Sequence, residues 1–131
     1  MYFVNFILEN SAFGFSNYAI SLNDYNNVYV VEGEKIKRVI KVNEIPFGLY
    51  SIYKIKLSKS SYIKIKKFLK YIDKNNIYNK NTKNGFLAAY ILKLINNTYC
   101  KLPSQKYTTY YICKKIKKLE KEKIAIPIRF T

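Results

Sequence analysis

The chain has no histidine among its 131 residues, and this absence restricts its chemistry more than any other feature. Histidine is the usual base that activates a cysteine or serine nucleophile. With two cysteines and eight Asp and Glu residues, the chain also has few groups from which to build a zinc site. The glycine-rich motifs that hold nucleotide phosphates, G-x-x-x-x-G-K-[ST] and G-x-G-x-x-G, do not occur. We therefore expect no catalytic residue, no metal and no cofactor.

The two cysteines, Cys100 and Cys113, are expected to be reduced thiols. Residues 1–8 lack the charged start and the small-residue cleavage site of a secretory signal peptide. This predicts a cytoplasmic location, or the host cytoplasm if the protein is viral. The apolar run Phe86–Ile95 contains Lys93 and is much shorter than the roughly 18–20 residues that cross a bilayer. We therefore expect no membrane partner.

Acidic residues are scarce, and 24 Lys and Arg against 8 Asp and Glu give a formal net charge of +16. Such a surface attracts polyanions, nucleic acid first among them, and repels other copies of itself. We therefore expect a monomer or a weak dimer. A compositional explanation stays open, because Lys, Asn, Ile, Tyr and Phe have AT-rich codons and a low-GC genome raises all of them together. The hydrophobic fraction of 49% and the aromatic fraction of 17% indicate a folded chain.

Six segments have the composition or the period of β-strands: residues 2–8, 18–22, 28–31, 36–42, 51–57 and 124–130. The first is almost continuously apolar, which predicts an interior strand covered on both faces. Residues 32–35, E-G-E-K, lie between two β-branched runs and indicate a hairpin. In the fourth segment one face is mostly apolar and the other mostly basic, so we expect the basic face to meet water. Pro127 restricts the last strand to an edge or terminal position.

Three segments have the 3.6-residue period of helices: residues 58–74, 86–95 and 108–123. The first is amphipathic with a lysine-rich side that should be exposed, and Ser58 or Ser60 can cap it. The second is apolar all round and should be the most buried helix. The third has an apolar stripe that includes Cys113 and is surrounded by lysines, and Thr108 or Thr109 can cap it.

Combined, these patterns predict an α+β fold in a single domain, residues 1–131. We expect a mainly antiparallel sheet of about five or six strands with three helices. The central helix should be covered by the other two helices and by the sheet. Residues 78–84 and 96–107 are predicted to be connections between helices.

Two short motifs lie in this predicted succession of strands and helices. Residues 17–22 are N-Y-A-I-S-L in an early strand, and residues 111–114 are Y-I-C-K in the third helix. They resemble the contexts S-H-x-x-I-S-L and Y-x-C-S-x-x-V of the circularly permuted papain-like amidohydrolases, which include NlpC-type cell-wall amidases and lecithin:retinol acyltransferase-like enzymes. The resemblance implies that Cys113 stands at the nucleophile position and Tyr18 at the histidine position. A tyrosine with its ordinary pKa of about 10 is a poor base for a thiol. We therefore interpret Cys113 as a small core residue and expect hydrolase activity to be lost.

Basic residues interleaved with tyrosines are the positive signal for function. Single-stranded nucleic acids are bound by aromatic side chains that stack on bases beside a cationic groove. RNA is favoured over duplex DNA, because no helix-turn-helix or other groove-binding motif is visible. The alternative for each tyrosine is that its ring packs in the core or at the edge of the core, with the hydroxyl exposed to water. The candidate nucleic-acid-binding residues are Lys66, Lys67, Lys70, Lys74, Tyr107, Tyr110, Tyr111, Lys114, Lys115 and Lys118.

Three classes of function remain open. The first is a non-catalytic basic protein that binds RNA or a ribonucleoprotein complex, for example an anti-defence factor of the anti-CRISPR type from a phage or mobile element. The second is a degenerate permuted papain-like cysteine hydrolase. The third is a protein-only inhibitor that docks on an acidic protein surface. Co-purification of the protein with nucleic acid would distinguish the first class from the other two.

Overall fold

The computed structural model describes residues 1–10, 17–23, 25–33, 35–75 and 82–128. Glu34 of the predicted hairpin turn, residues 78–81 of the predicted connection and residues 129–130 of the predicted last strand lie outside the described residues.

Six strands in the described part of the chain form one antiparallel sheet, in the order β4-β3-β2-β1-β5-β6. They are β1 (Tyr2–Glu9), β2 (Asn17–Leu22), β3 (Asn26–Glu32), β4 (Lys35–Lys41), β5 (Tyr50–Leu57) and β6 (Ala125–Ile128). The predicted hairpin is the β3–β4 pair, in which Glu32 lies opposite Lys35. Pro127 lies on β6 at one edge of the sheet, as predicted. Proline has no amide hydrogen to donate, and at an edge this does not interrupt the hydrogen bonds between two interior strands.

Three α-helices accompany the sheet in the described residues: α1 (Lys59–Lys74), α2 (Phe86–Ile95) and α3 (Thr109–Lys121). The predicted α+β fold is therefore confirmed. Ser58 caps α1 by accepting a hydrogen bond from the Ser61 amide at 3.1 Å, and Thr108 caps α3 by accepting one from the Tyr111 amide at 3.3 Å. Two short 3-10 helices, Val42–Glu44 and Ser104–Lys106, were not predicted. None of the helices in the described ranges is long and apolar enough to cross a membrane.

All three helices lie on one face of the sheet and form the larger of two cores with it. This helix-side core includes Val4, Phe6, Leu8, Tyr18 and Ile20 from the sheet, and Leu87, Ile91, Ile112, Cys113 and Ile116 from the helices. Within α2, five of the ten residues are buried, namely Leu87, Ala88, Ala89, Ile91 and Leu92. The prediction that α2 is the most buried helix agrees with this pattern, because α1 buries three of its sixteen residues and α3 five of its thirteen.

Tyr18 of β2 attaches α2 to the sheet. Its ring is fully buried, its hydroxyl donates to the Asn84 carbonyl at 2.9 Å, and the same hydroxyl accepts from the Ala88 amide at 3.2 Å. The first amides of a helix have no partner within the helix, and Gly85 at the N-cap has no side chain to supply one. The tyrosine on the sheet therefore takes the role of the missing cap.

The opposite face of the sheet carries a second, smaller core. Its buried members are Ile7, Ala19, Val28, Val30, Val39, Ile45, Phe47 and Ile52. The expectation that the basic face of β4 meets water is wrong at Val39, which is buried because Ile45 and Phe47 pack in this core. Lys37 and Lys41 on the same face are exposed. Both faces of the sheet centre are thus covered, and residues 4–8 of β1 are all buried, as predicted for an interior strand.

Gly85 provides a test of how closely α2 and α3 approach each other. A Cβ at this position would lie 2.5 Å from the Thr108 carbonyl oxygen and 2.7 Å from that of Tyr107. Both atoms belong to the backbone, so we expect Gly85→Ala to destabilise the fold by about 1–3 kcal/mol. Urea unfolding followed by circular dichroism measures this loss.

Gly48→Ala is the matched control, because no described atom lies within 4 Å of the Cβ it would add. We expect its effect to stay within about 0.5 kcal/mol. Equal unfolding midpoints for the two variants would show that the α2–α3 junction is not tightly packed.

Candidate nucleic-acid interface

The exposed side of α1 is a lysine face. It consists of Lys59, Lys64, Lys66, Lys67, Lys70 and Lys74, all of which are exposed. The opposite stripe, Ile65, Leu69 and Ile72, is buried against the sheet and α2. The prediction that the lysines of this helix point to solvent is confirmed. Asp73 is the single acidic residue of α1, so the helix carries a strong positive potential along one side.

An aromatic groove runs between α1 and α2, beside the lysine face. It has a volume of about 550 Å³ and is lined by Lys64, Lys67, Phe68, Tyr71, Phe86, Tyr90 and Leu94. The rings of Phe68 and Tyr90 are stacked with their centroids 4.0 Å apart and their planes at 19°. Tyr71 is 53% exposed and Tyr90 is 37% exposed. The groove therefore presents ring surface to solvent next to two ammonium groups.

Sequence reasoning did not identify Tyr71 or Tyr90. Tyr90 and Lys93 are the two polar residues of an otherwise apolar helix, and Tyr71 follows Lys67 by four residues, which places Tyr71 and Lys67 on the same side of α1. These positions were the available signal for an aromatic site. They indicate one only when α1 and α2 lie side by side, as they do in the structure.

A cationic pocket lies on the other side of α1, between this helix and β2, β3 and β4. It has a volume of about 340 Å³, and its lining includes Asn23, Asn27, Tyr29, Arg38, Tyr62, Lys66, Lys70 and Asp73. The guanidinium Nη1 of Arg38 is 3.1 Å from the Asp73 carboxylate. Burial raises the pKa of the Tyr29 hydroxyl and Asp73 raises it further, while the nearby Arg38 lowers it. Tyr29 is thus a neutral phenol, and it lies directly opposite Arg38 in the sheet.

The candidate residues of α3 form a separate surface. Tyr110 and Tyr111 are 54% and 48% exposed, and the Lys114 ammonium lies 5.1 Å from the centre of the Tyr110 ring. Lys118 is exposed and Lys115 is half-buried. Since α3 packs against β6 while α1 packs against α2, β1 and β5, the two sets of lysines belong to different parts of the surface.

Tyr107 does not belong to either surface, which corrects its place among the candidates. It is only 3% exposed, its hydroxyl accepts a hydrogen bond from the Leu102 amide at 2.9 Å, and its ring meets that of Tyr111 edge-on at 5.0 Å. Its carbonyl accepts from the Gly85 amide at 2.9 Å. The residue holds the loop before α3 against the start of α2, so a base cannot stack on it.

Both cysteines are buried and have free thiols. Burial raises the pKa of the Cys113 thiol to about 12, against a smaller lowering by Lys117. Burial also raises the pKa of Cys100. Cys113 packs in the helix-side core with Ile112 and Ile116, as predicted for a small core residue. A thiolate, which is the reactive form, is therefore strongly disfavoured at neutral pH.

Comparison of the chain with protein-family models, curated proteins and solved structures gave no match. Among the residues that the structure describes, no group of three or more Cys, Asp and Glu side chains is placed to hold a metal ion. The lysine face, the aromatic groove, the cationic pocket and the α3 surface are therefore the candidate functional surfaces of the protein.

The raised thiol pKa values predict slow alkylation. At neutral pH, iodoacetamide should label Cys113 and Cys100 at least about a hundredfold more slowly in the native protein than in urea, because reaction needs an exposed thiolate. Intact mass spectrometry over time follows both reactions. Rapid labelling of Cys113 in the native protein would contradict this and favour the papain-like hydrolase hypothesis.

Proposed function

We propose that the protein binds single-stranded nucleic acid, RNA in the first place, on the lysine face of α1 and in the aromatic groove beside it. One observation carries the proposal: the stacked rings of Phe68 and Tyr90 lie in the same groove as Lys64 and Lys67. Bases stack on exposed rings while ammonium groups neutralise the phosphates between them. Single-strand binding proteins combine these two components.

The size and charge of α1 fit this role. A helix of 16 residues is about 24 Å long, which is sufficient for a strand of several nucleotides. The net charge of +16 adds a long-range attraction that brings a polyanion to the surface quickly. A ribonucleoprotein with exposed RNA offers the same chemistry as free RNA.

The composition of the lysine face favours binding without sequence preference. Base edges in a duplex are recognised mainly by Arg, Asn and Gln, which can make two parallel hydrogen bonds. The exposed cations of α1 are all lysines, which act on phosphates as point charges. The aromatic groove needs unpaired bases, because the ring faces of paired bases are hidden within the duplex stack.

Salt dependence tests the electrostatic part of the proposal. If the lysine face neutralises about five phosphates, the logarithm of the affinity should fall with the logarithm of salt concentration at a slope of roughly −3.5. The double variant Lys64→Gln, Lys67→Gln should weaken binding to every sequence alike and reduce that slope by about 1.4. Fluorescence anisotropy with a labelled unstructured RNA at several salt concentrations measures both quantities.

The matched control is the double variant Lys35→Gln, Lys37→Gln on β4. It removes the same charge from two exposed residues, and Lys37 lies opposite Val30 of the second core, on the sheet face away from the helices. Its affinity should stay within about twofold of the wild type. An equal loss in both variants would mean that total charge rather than the α1 surface determines binding. No detectable binding at low salt would end the nucleic-acid proposal.

Stacking is tested separately from charge. Tyr90→Ala should weaken RNA binding by about 1–3 kcal/mol and leave the salt slope unchanged, because it removes a ring and no cation. Tyr110→Ala makes the same change on the exposed α3 surface. A loss confined to Tyr110→Ala would move the site to α3, with Tyr111, Lys114 and Lys118 as its further contacts. Circular dichroism confirms that each variant is folded.

A further inference from the structure

The lysines of α1 divide between two concave surfaces. Lys64 and Lys67 line the aromatic groove, whereas Lys66 and Lys70 line the cationic pocket on the other side of the helix. Lys66 and Lys70 are four residues apart, so their side chains extend from the same side of α1. The groove is the larger and the more open of the two, which suits a strand that passes through. The pocket is a smaller concavity and suits a compact ligand.

Arg38 enters the cationic pocket from β4, where it lies directly opposite Tyr29 of β3. Asp73 of α1 holds its guanidinium at 3.1 Å. A guanidinium has five N–H donors in a rigid plane, so this ion pair positions the group without using all of its donors. The Arg38 side chain remains 48% exposed. It is therefore available to a ligand in the pocket.

The charges that line the pocket do not cancel. Arg38, Lys66 and Lys70 contribute three positive charges, and Asp73 is the single acid among the lining residues that the structure describes, which leaves +2. A phosphodiester within a strand carries one negative charge. A terminal phosphomonoester has a second pKa of about 6 and carries close to two charges at neutral pH. The pocket therefore matches the charge of a terminal phosphate better than that of an internal one.

Aromatic rings form part of the pocket wall. Tyr62 of α1 lies against Tyr2 with ring centroids 4.6 Å apart, and the Lys66 ammonium is 5.9 Å from the centre of the Tyr62 ring. The volume of about 340 Å³ is at the small end of the range for small-molecule sites. This space accommodates a phosphate together with part of the attached nucleoside.

We infer that the cationic pocket binds a nucleoside monophosphate unit, with its phosphomonoester on Arg38, Lys66 and Lys70. This inference rests on the proposed function, because the nucleoside monophosphate unit that we assign to the pocket is the phosphorylated end of a bound RNA strand. A free mononucleotide has the same chemistry. Arg38 is the residue specific to this site, because its planar donors match phosphate oxygens in pairs, and it lies outside the lysine face that binds internal phosphates.

The test compares three forms of one RNA sequence: one with a 5′-phosphate, one with a 3′-phosphate and one with neither. Each phosphorylated form carries its label at the end opposite the phosphate, and the form without phosphate is labelled at the same positions. We expect at least one phosphorylated form to bind about tenfold more tightly than the hydroxyl form, because a charge-assisted hydrogen bond is added. Arg38→Gln should abolish this preference and leave the affinity of the hydroxyl RNA within about twofold. Lys37→Gln, which removes a neighbouring charge from the other face of β4, should keep the preference.

Asp73→Asn is a second variant with the opposite expected sign. It releases Arg38 and raises the net charge of the pocket, so phosphorylated RNA should bind about threefold more tightly. A gain of affinity cannot result from misfolding. If Asp73→Asn does not change binding and Arg38→Gln does not reduce the preference, the assignment of the pocket is wrong.

The two proposals fail in distinguishable ways. Equal binding of phosphorylated and hydroxyl RNA would overturn the pocket and leave the lysine face in place. If no RNA binds, the proposed function fails, and adenosine monophosphate alone tests the pocket by two-dimensional NMR. Shifts at the neighbours of Arg38, such as Tyr29 and Asp73, that disappear in Arg38→Gln would then identify a free mononucleotide as the ligand, and the absence of any such shift would overturn the pocket as well.

Discussion

The buried hydroxyl of Tyr18 is the contact on which the arrangement of the helices depends. It accepts from the Ala88 amide and donates to the Asn84 carbonyl, and it thereby joins β2 to the first turn of α2. A buried hydroxyl or amide left without a partner costs about 1–3 kcal/mol, so this contact specifies where α2 begins on the sheet. The side chain of Asn84 in turn accepts from the Thr109 amide at 2.9 Å, which ties the start of α3 to the same point.

The position of α2 determines the shape of the candidate interface. With α2 anchored at Tyr18, Tyr90 comes to lie on Phe68 of α1 at 4.0 Å, and the hydroxyl of Ser61 donates to the Leu94 carbonyl at 3.3 Å near the other end. The aromatic groove is the space that this antiparallel packing leaves on the solvent side. One amphipathic helix, α1, thus supplies cations to the groove on one side and to the cationic pocket on the other.

Much of the fold was predictable because local pattern and tertiary environment agree. Ser58 and Thr108 cap their helices, Pro127 lies on an edge strand, and the lysines of α1 are exposed, since each of these outcomes follows from backbone chemistry or from a strong helical period. Val39 was misjudged because the strand pattern of β4 contains no information about Ile45 and Phe47, which share the second core with it.

The sequence by itself determined the α+β class, the positive charge, the lack of histidine and the lysine-rich sides of α1 and α3. These properties depend on composition and on periods within single elements. Only the tertiary structure decided which tyrosines are accessible: Tyr107 is buried while Tyr90 is exposed. It also brought Arg38 of β4 beside Lys66, Lys70 and Asp73 of α1. The exposure of a ring and the sharing of a pocket depend on residues distant in the chain, because packing between elements is not encoded in the spacing within any one of them.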